Sequence, residues 1–307
     1  MYVSLSIDLA PEETGADGFR SFTTRLRDID AAAPDLVILG GEHDGAVVPG
    51  RIEGLVNLPW VAGQITQAAV AAALPALHGL PFHVARALSA IDFVSGGRAG
   101  WLPVCANHDA IDRAYGAAYA ITDGDAPAKY DDFIRATQAL LDSWDQDALI
   151  IDKARGDYLD SAKVRRVDYR GPYFSTMGPL NAARPPQGYP LLVRDLADLS
   201  GSSELPADIA LLSATSVAEA DAAIARLRQA PGTAGAAILL KIGGALPLDA
   251  AMQVAGADGV HLTDLPDART VAAARAMLPV TAGSDGTARA RFGMAMPVNP
   301  FTQKALV

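Results

Sequence analysis

A (β/α)8 barrel is the fold this sequence predicts, and three observations predict it. Eight short apolar runs are spaced along the chain, longer segments of helical period lie between them, and the length is 307 residues. Buried strands alternating with amphipathic helices are the pattern of a parallel sheet covered by crossover connections, and eight of them suggest closure rather than an open sheet. Barrels of this class routinely exceed two hundred residues, so one domain over 1–307 is expected.

The runs, in order, are Tyr2 to Ile7, Leu36 to Leu39, Ala69 to Leu77, Gly100 to Cys105, Pro190 to Val193, Ile209 to Ser213, Ala236 to Ile242 and Gly259 to Leu262. The helices are read from their period. Tyr130, Phe133, Ile134, Leu140, Leu141 and Trp144 fall on one face at spacings of three, four and seven. Ser216 and Glu219 form a capping box ahead of Ala220, Ile224 and Leu227, and Asp267 caps a helix carrying Val271, Ala274 and Leu278. Two regions lie outside this rhythm. Tyr169 to Tyr189 is dense in Gly and Pro, which excludes a helix, so an extended insertion at about 165–189 is expected to lie over the barrel. The tail from Ala282 to Val307 has no packing partner assignable within its own barrel, and a homodimer is expected on that ground.

Composition narrows the function. A net charge of -10 and a pI near 4.9, with no basic block, argue against a nucleic-acid partner. The longest apolar stretch, Ala68 to Leu77, is too short to cross a bilayer, and the N-terminus has no basic segment leading into an apolar one. Cys105 is the single cysteine, so no intramolecular disulfide can form, and a cytoplasmic setting is expected. The five histidines are far apart with no metal-ligand spacing, so no metal site is expected, and no GxGxxG supports a dinucleotide fold.

Several polar groups follow the strands, where a barrel places its site. His78 follows the third strand and His43, in GGEHDG, the second. Asn107 and His108 follow the fourth. An imidazole there can donate or accept a proton, although a His beside Gly is as often a satisfied turn residue. Lys241 ends the seventh strand, and His261 with Thr263 ends the eighth. A Lys so placed is more often paired with a neighbouring carboxylate than catalytic.

Longer motifs are more specific. PFHVARALSAIDFVSGGRAGW, Pro81 to Trp101, ends a helix with residues that tolerate positive φ and turns at once into a strand. Between Lys129 and Val193 stand Trp144-Asp145, Asp152-Lys153, Asp168 to Phe174, Gly178-Pro179-Leu180-Asn181, Pro186-Gln187-Gly188 and Pro190. TARARFGMAMPVNPF closes the chain from Thr287 to Phe301. Together these resemble the luciferase-like flavin-dependent monooxygenases, in the nitrilotriacetate and dibenzothiophene-sulfone monooxygenase branch, with this chain as a shortened member.

That resemblance implies reduced FMN delivered by a separate flavin reductase, O2 as co-substrate, and transfer of one oxygen atom to a small organic molecule. It places Tyr130 at the flavin phosphate, Leu102 and Cys105 at positions facing the ring, and His78 where the family has a Ser or Thr near the flavin. Beside that resemblance, the residues themselves offer Arg194 and Ser202 as compensation for the altered phosphate loop, Asn107 as a replacement for lost ring contacts, and His43, with His78, as a catalytic candidate. The chain departs from the family pattern in three places. Trp101-Leu102-Pro103-Val104-Cys105 stands where the family has Trp-Asn-Val-Val-Thr. Arg194-Asp195-Leu196-Ala197-Asp198 replaces the Gln-Ala-Gly-x-Ser phosphate loop, and Ala126 stands where a His precedes the Tyr. Asp195 and Asp198 are therefore expected to oppose the phosphate and weaken FMN binding. Two alternatives stay open: a non-catalytic or weakly flavin-binding partner subunit, and a deazaflavin F420-dependent oxidoreductase.

Overall fold

The structure is a computed structural model and describes residues 1–8, 15–40, 53–105, 116, 120–122, 124–196, 205–243, 246–264, 266–278 and 286–303. Its strands are β1 (Tyr2–Ile7), β2 (Leu36–Leu39), β3 (Ala69–Pro75), β4 (Ala99–Val104), β5 (Leu149–Asp152), β6 (Asp157–Leu159), β7 (Tyr169–Arg170), β8 (Ser175–Thr176), β9 (Leu191–Asp195), β10 (Ile209–Leu212), β11 (Ala237–Ile242) and β12 (Gly259–Leu262). The helices are α1 (Gly15–Ala31), α2 (Gly54–Gln64), α3 (Pro81–Val94), α4 (Ala126–Leu141), α5 (Val217–Leu227), α6 (Leu248–Ala251), α7 (Ala268–Met277), α8 (Ala288–Arg291) and α9 (Pro300–Gln303). Eight parallel strands close into a barrel in the order β1-β12-β11-β10-β9-β4-β3-β2, so the expected fold class is the observed one. The third strand stops at Pro75, two residues short of the expected Leu77, with Ala76 N still donating to Val104 O at 3.0 Å just beyond it.

Period-two alternation sorts each strand between two cores. Val3, Leu5 and Ile7 of β1 face the helices with Phe22, Leu26 and Ile29 of α1, whereas Leu36, Ile38, Ala71, Leu102, Val193, Leu211 and Leu239 fill the lumen. The expected caps are present. Ser216 Oγ accepts from Glu219 N at 3.2 Å and Asp267 Oδ1 from Thr270 N at 2.8 Å. The Glu219 carboxylate reaches one residue further back than a capping box requires, to Thr215 N at 2.8 Å and its hydroxyl at 2.5 Å.

The turn from Ser95 to Arg98 lies at the N-terminal end of the strands, away from the mouth. Arg98 donates to Ser95 O, Ile65 O, Ala68 O and Ala62 O, satisfying carbonyls at and just beyond the end of α2, so its role is architectural. Gly97 has φ +81°, and a Cβ there would sit 2.8 Å from Thr287 Cγ2. Gly97→Val therefore combines a left-handed backbone with a steric overlap and should lose about 3 kcal/mol, read as a melting temperature lower by several degrees. An unchanged melting temperature would show that the turn tolerates a side chain.

The expected insertion is present as an extended excursion with turns. With the segment that follows α4 it forms the hairpins β5–β6 and β7–β8, and it packs on α4. Asp132 of α4 holds it there, accepting from the Tyr169 hydroxyl, from Tyr173 N at 2.8 Å and from Phe174 N at 2.7 Å. Gly171 permits that approach, since a Cβ would fall 1.8 Å from Asp132 Oδ1. The tail, in its turn, has a partner within its own barrel. Ala288 and Phe292 join the lumenal core, Phe292 packs on Tyr2 with centroids 4.4 Å apart, Ala288 N donates to Gly97 O at 2.8 Å, and Arg289 grips Asp208 through both terminal nitrogens at 2.7 and 2.6 Å. The missing packing partner that motivated a homodimer is thus supplied by the chain itself.

Candidate functional site at the barrel mouth

Adjacent residues of β9 face opposite ways, and this divides the site in two. Arg194 points outward beneath α4. Its guanidinium lies 5.3 Å from the Tyr130 ring centroid and donates through Nη1 to Leu205 O at 2.6 Å, and its side chain is 1% exposed. Asp131 Oδ1 is 3.8 Å from Nη2, beyond hydrogen-bond reach, and Nε and Nη2 have no hydrogen-bond partner among the described residues. Tyr130 and Cys105 belong to the same buried cluster, with Trp101 and Leu77.

Asp195 points into the lumen, where its Oδ2 accepts from Lys241 Nζ at 2.8 Å. It therefore does not share a face with Arg194, and the expectation that it opposes a phosphate there is corrected by strand parity. Beside Lys241 in register stands His261, and beside that Ser4. His261 Nδ1 is 2.9 Å from Ser4 Oγ and Nε2 is 3.1 Å from Ser6 Oγ, while Ser4 Oγ lies 3.4 Å from Val260 O. A neutral ring satisfies this set: Nδ1–H donates to Ser4, Ser4 donates onward to Val260 O, and Nε2 accepts from Ser6. Complete burial, with the Lys241 charge as a second cause, pushes the imidazole pKa down to about 3.

That depression has a consequence for acid stability. As pH falls below the ordinary histidine value of 6.5, the unfolded chain takes up a proton that the folded ring refuses until pH about 3, so stability declines across that window. Between pH 7 and 5 this one residue contributes a loss of about 2 kcal/mol. His261→Asn should lose that much less than the parent in denaturant melts at the two pH values. Equal losses would mean that the ring titrates in the folded state.

Of the residues singled out in the sequence, the structure brings Tyr130, Arg194 and Cys105 together behind β9 and places Leu102 in the lumen. His78 is half-buried after β3, next to Gly79, where a Cβ would meet the Phe133 ring and Pro75 O at 2.8 Å. His43, Asn107 and Ser202, with Glu42, His108 and Asp198, lie outside the described residues. Sequence reasoning noted Lys241 and His261 singly and missed their joining to Asp195, Ser4 and Ser6. The alternation of Val3, Leu5 and Ile7 with Ser4 and Ser6 in β1 was the available signal of a polar lumenal wall.

No family model matches the chain. Dibenzothiophene-sulfone monooxygenase of Rhodococcus erythropolis is 34% identical over 156 residues, 51% of this chain, and the match spans only 33% of that protein. One component chain of the pristinamycin IIA synthase of Streptomyces pristinaespiralis is 33% identical over 286 residues, covering 90% of both chains. Another component of the same synthase is 32% identical over 34% of this chain and 20% of its own length. The chain belongs to the luciferase-like superfamily of flavin-dependent monooxygenases. Its barrel superposes on the crystal structure of a long-chain alkane monooxygenase with a TM-score of 0.78 at 15% identity, covering 95% of each chain, which speaks for the fold of this superfamily member. Among the described residues no helix is long and apolar enough to cross a membrane.

Proposed function

We propose that this chain is an FMN-dependent monooxygenase that takes reduced FMN from a separate flavin reductase and, with O2, oxygenates a small organic molecule in the cytoplasm. The observation that carries the FMN assignment is Arg194. A buried guanidinium with two nitrogen atoms unmet among the described residues is costly unless an anion completes it, and a phosphate ester is the acceptor whose geometry matches the fork. The residues present therefore fit the group. Arg194 and Tyr130 would hold the phosphate end, with Ser202 in the loop that follows β9. The lumen lined by Ala73, Leu102 and Val104 would receive the ring, and Cys105 would pack behind it. His78 and His43 are the candidate proton carriers, and Asn107 a ring contact.

Bound reduced FMN supplies the activation of O2, and the chain's own residues bind, orient and exclude water. The test is a fluorescence titration of FMN into the purified chain, followed by stopped-flow oxidation of the reduced complex. Saturable quenching and a rate of oxidation that differs from free reduced FMN are expected. Absence of quenching at any soluble FMN concentration overturns the reading.

A second reading, a partner chain within a two-chain monooxygenase, is favoured by one observation: the relative matched over nine-tenths of both chains is itself named as one component of a multi-chain synthase. Repeating the FMN titration with and without a second component chain separates the two: saturable quenching by this chain alone supports the first reading, and quenching that appears only once the second chain is added supports the partner reading.

A further inference from the structure

The Asp195–Lys241 pair sits in the last lumenal layer of the strands, at the mouth end. Ala237, Leu239 and Lys241 share one side of β11, and the first two belong to the lumenal core or its edge. The two partners are not equally covered. The Asp195 side chain is 9% exposed and that of Lys241 23%, so the carboxylate is the anchored end and the ammonium the end open to the mouth. An ammonium has three N–H donors, and Asp195 takes one of them. No other acceptor for Lys241 occurs among the described residues. The neighbouring His261 is locked between Ser4 and Ser6 as a neutral ring, and the facing wall is Ile38, Ala71, Ala73, Leu102 and Val104. Lys241 is therefore the only cation facing the lumen among the described residues, and it has donors to spare.

We propose that Lys241 binds the negatively charged pyrimidine edge of the reduced flavin ring, with Asp195 as the positioning residue that fixes its ammonium. The inference rests on the flavin reading above. Two-electron reduction makes the N1–C2 carbonyl edge electron-rich, and loss of the N1 proton leaves a negative charge shared between N1 and the C2 oxygen. Oxidised flavin carries no such charge, so a cation at this edge discriminates between the two forms, one of the means by which a protein tunes a bound flavin. Asp195 holds the ammonium in place and cancels part of its charge, which keeps the mouth from trapping anions indiscriminately.

The experiment measures two dissociation constants for each protein: oxidised FMN in air, and dithionite-reduced FMN under anaerobic conditions. The parent should bind the reduced form at least tenfold more tightly, which for a two-electron couple is a shift of about 30 mV in the bound potential. Lys241→Met should lose that preference while keeping its affinity for oxidised FMN within about twofold, and Lys241→Arg should retain it. Lys241→Met/Asp195→Asn neutralises both members of the pair and is read in place of the single variant if that one does not fold. A ratio of the two affinities that is the same in parent and variants overturns the role of Lys241 and leaves the flavin reading intact. A parent that binds neither form overturns both.

Discussion

Arg194→Met is expected to weaken FMN binding about a hundredfold while leaving the unliganded protein as stable as the parent or more so. Both halves come from one fact, that Nε and Nη2 of a guanidinium 1% exposed have no hydrogen-bond partner among the described residues. Without ligand the charge is buried and half-satisfied, held by the Tyr130 face, by Leu205 O and by Asp131 at 3.8 Å, so a methionine of similar volume removes a desolvated charge at little cost. With ligand the same nitrogens supply a two-pronged contact to a phosphate, worth about 3 kcal/mol when buried, which is about two decades in the dissociation constant. Fluorescence titration and a denaturant melt measure the two quantities. Unchanged affinity would remove Arg194 from the phosphate site. A large loss of stability with unchanged affinity would make it a structural residue.

Asp92→Ala should be the most damaging single substitution to the scaffold. The carboxylate is fully buried and accepts from Ala99 N at 3.1 Å, Gln187 N at 3.0 Å and Gln187 Nε2 at 2.6 Å, while Gln187 Oε1 accepts from Arg289 N at 2.9 Å. One side chain thus ties α3, β4, the end of the insertion and the tail together. Burial pushes its pKa up and the hydrogen bonds offset part of that, so the site keeps a carboxyl at some cost because three donors require it. Alanine strands all three, a loss of about 4 kcal/mol and a melting temperature lower by about 10 °C. Asp92→Asn keeps one acceptor oxygen and should lose about half as much. A shift in Asp92→Ala within measurement error would show that water replaces the carboxylate.

The eight barrel strands were legible because each is a short apolar run bounded by turn residues, and β1, β2 and β12 have the boundaries expected of them. Legible also was the polar character of the mouth. The direction of side chains within it was not. Reading Arg194 and Asp195 as one phosphate-facing loop overlooked that they still belong to β9, where parity sends one outward and the other into the lumen. The tail was misjudged for a similar reason. Its sequence is rich in small residues and carries no long amphipathic period, yet Ala288, Arg289 and Phe292 each find a place built by residues 81 or more positions away. Local pattern reports on neighbours along a helix or strand, and contacts at such separation leave no trace in it.

By seating Ala288 and Phe292 in the lumenal core, the tail closes the end of the barrel away from the mouth. With the lumen filled by side chains below the Asp195–Lys241 layer, whatever meets that pair must both arrive and leave at the C-terminal ends of the strands, so any residue that narrows the mouth slows entry and escape together.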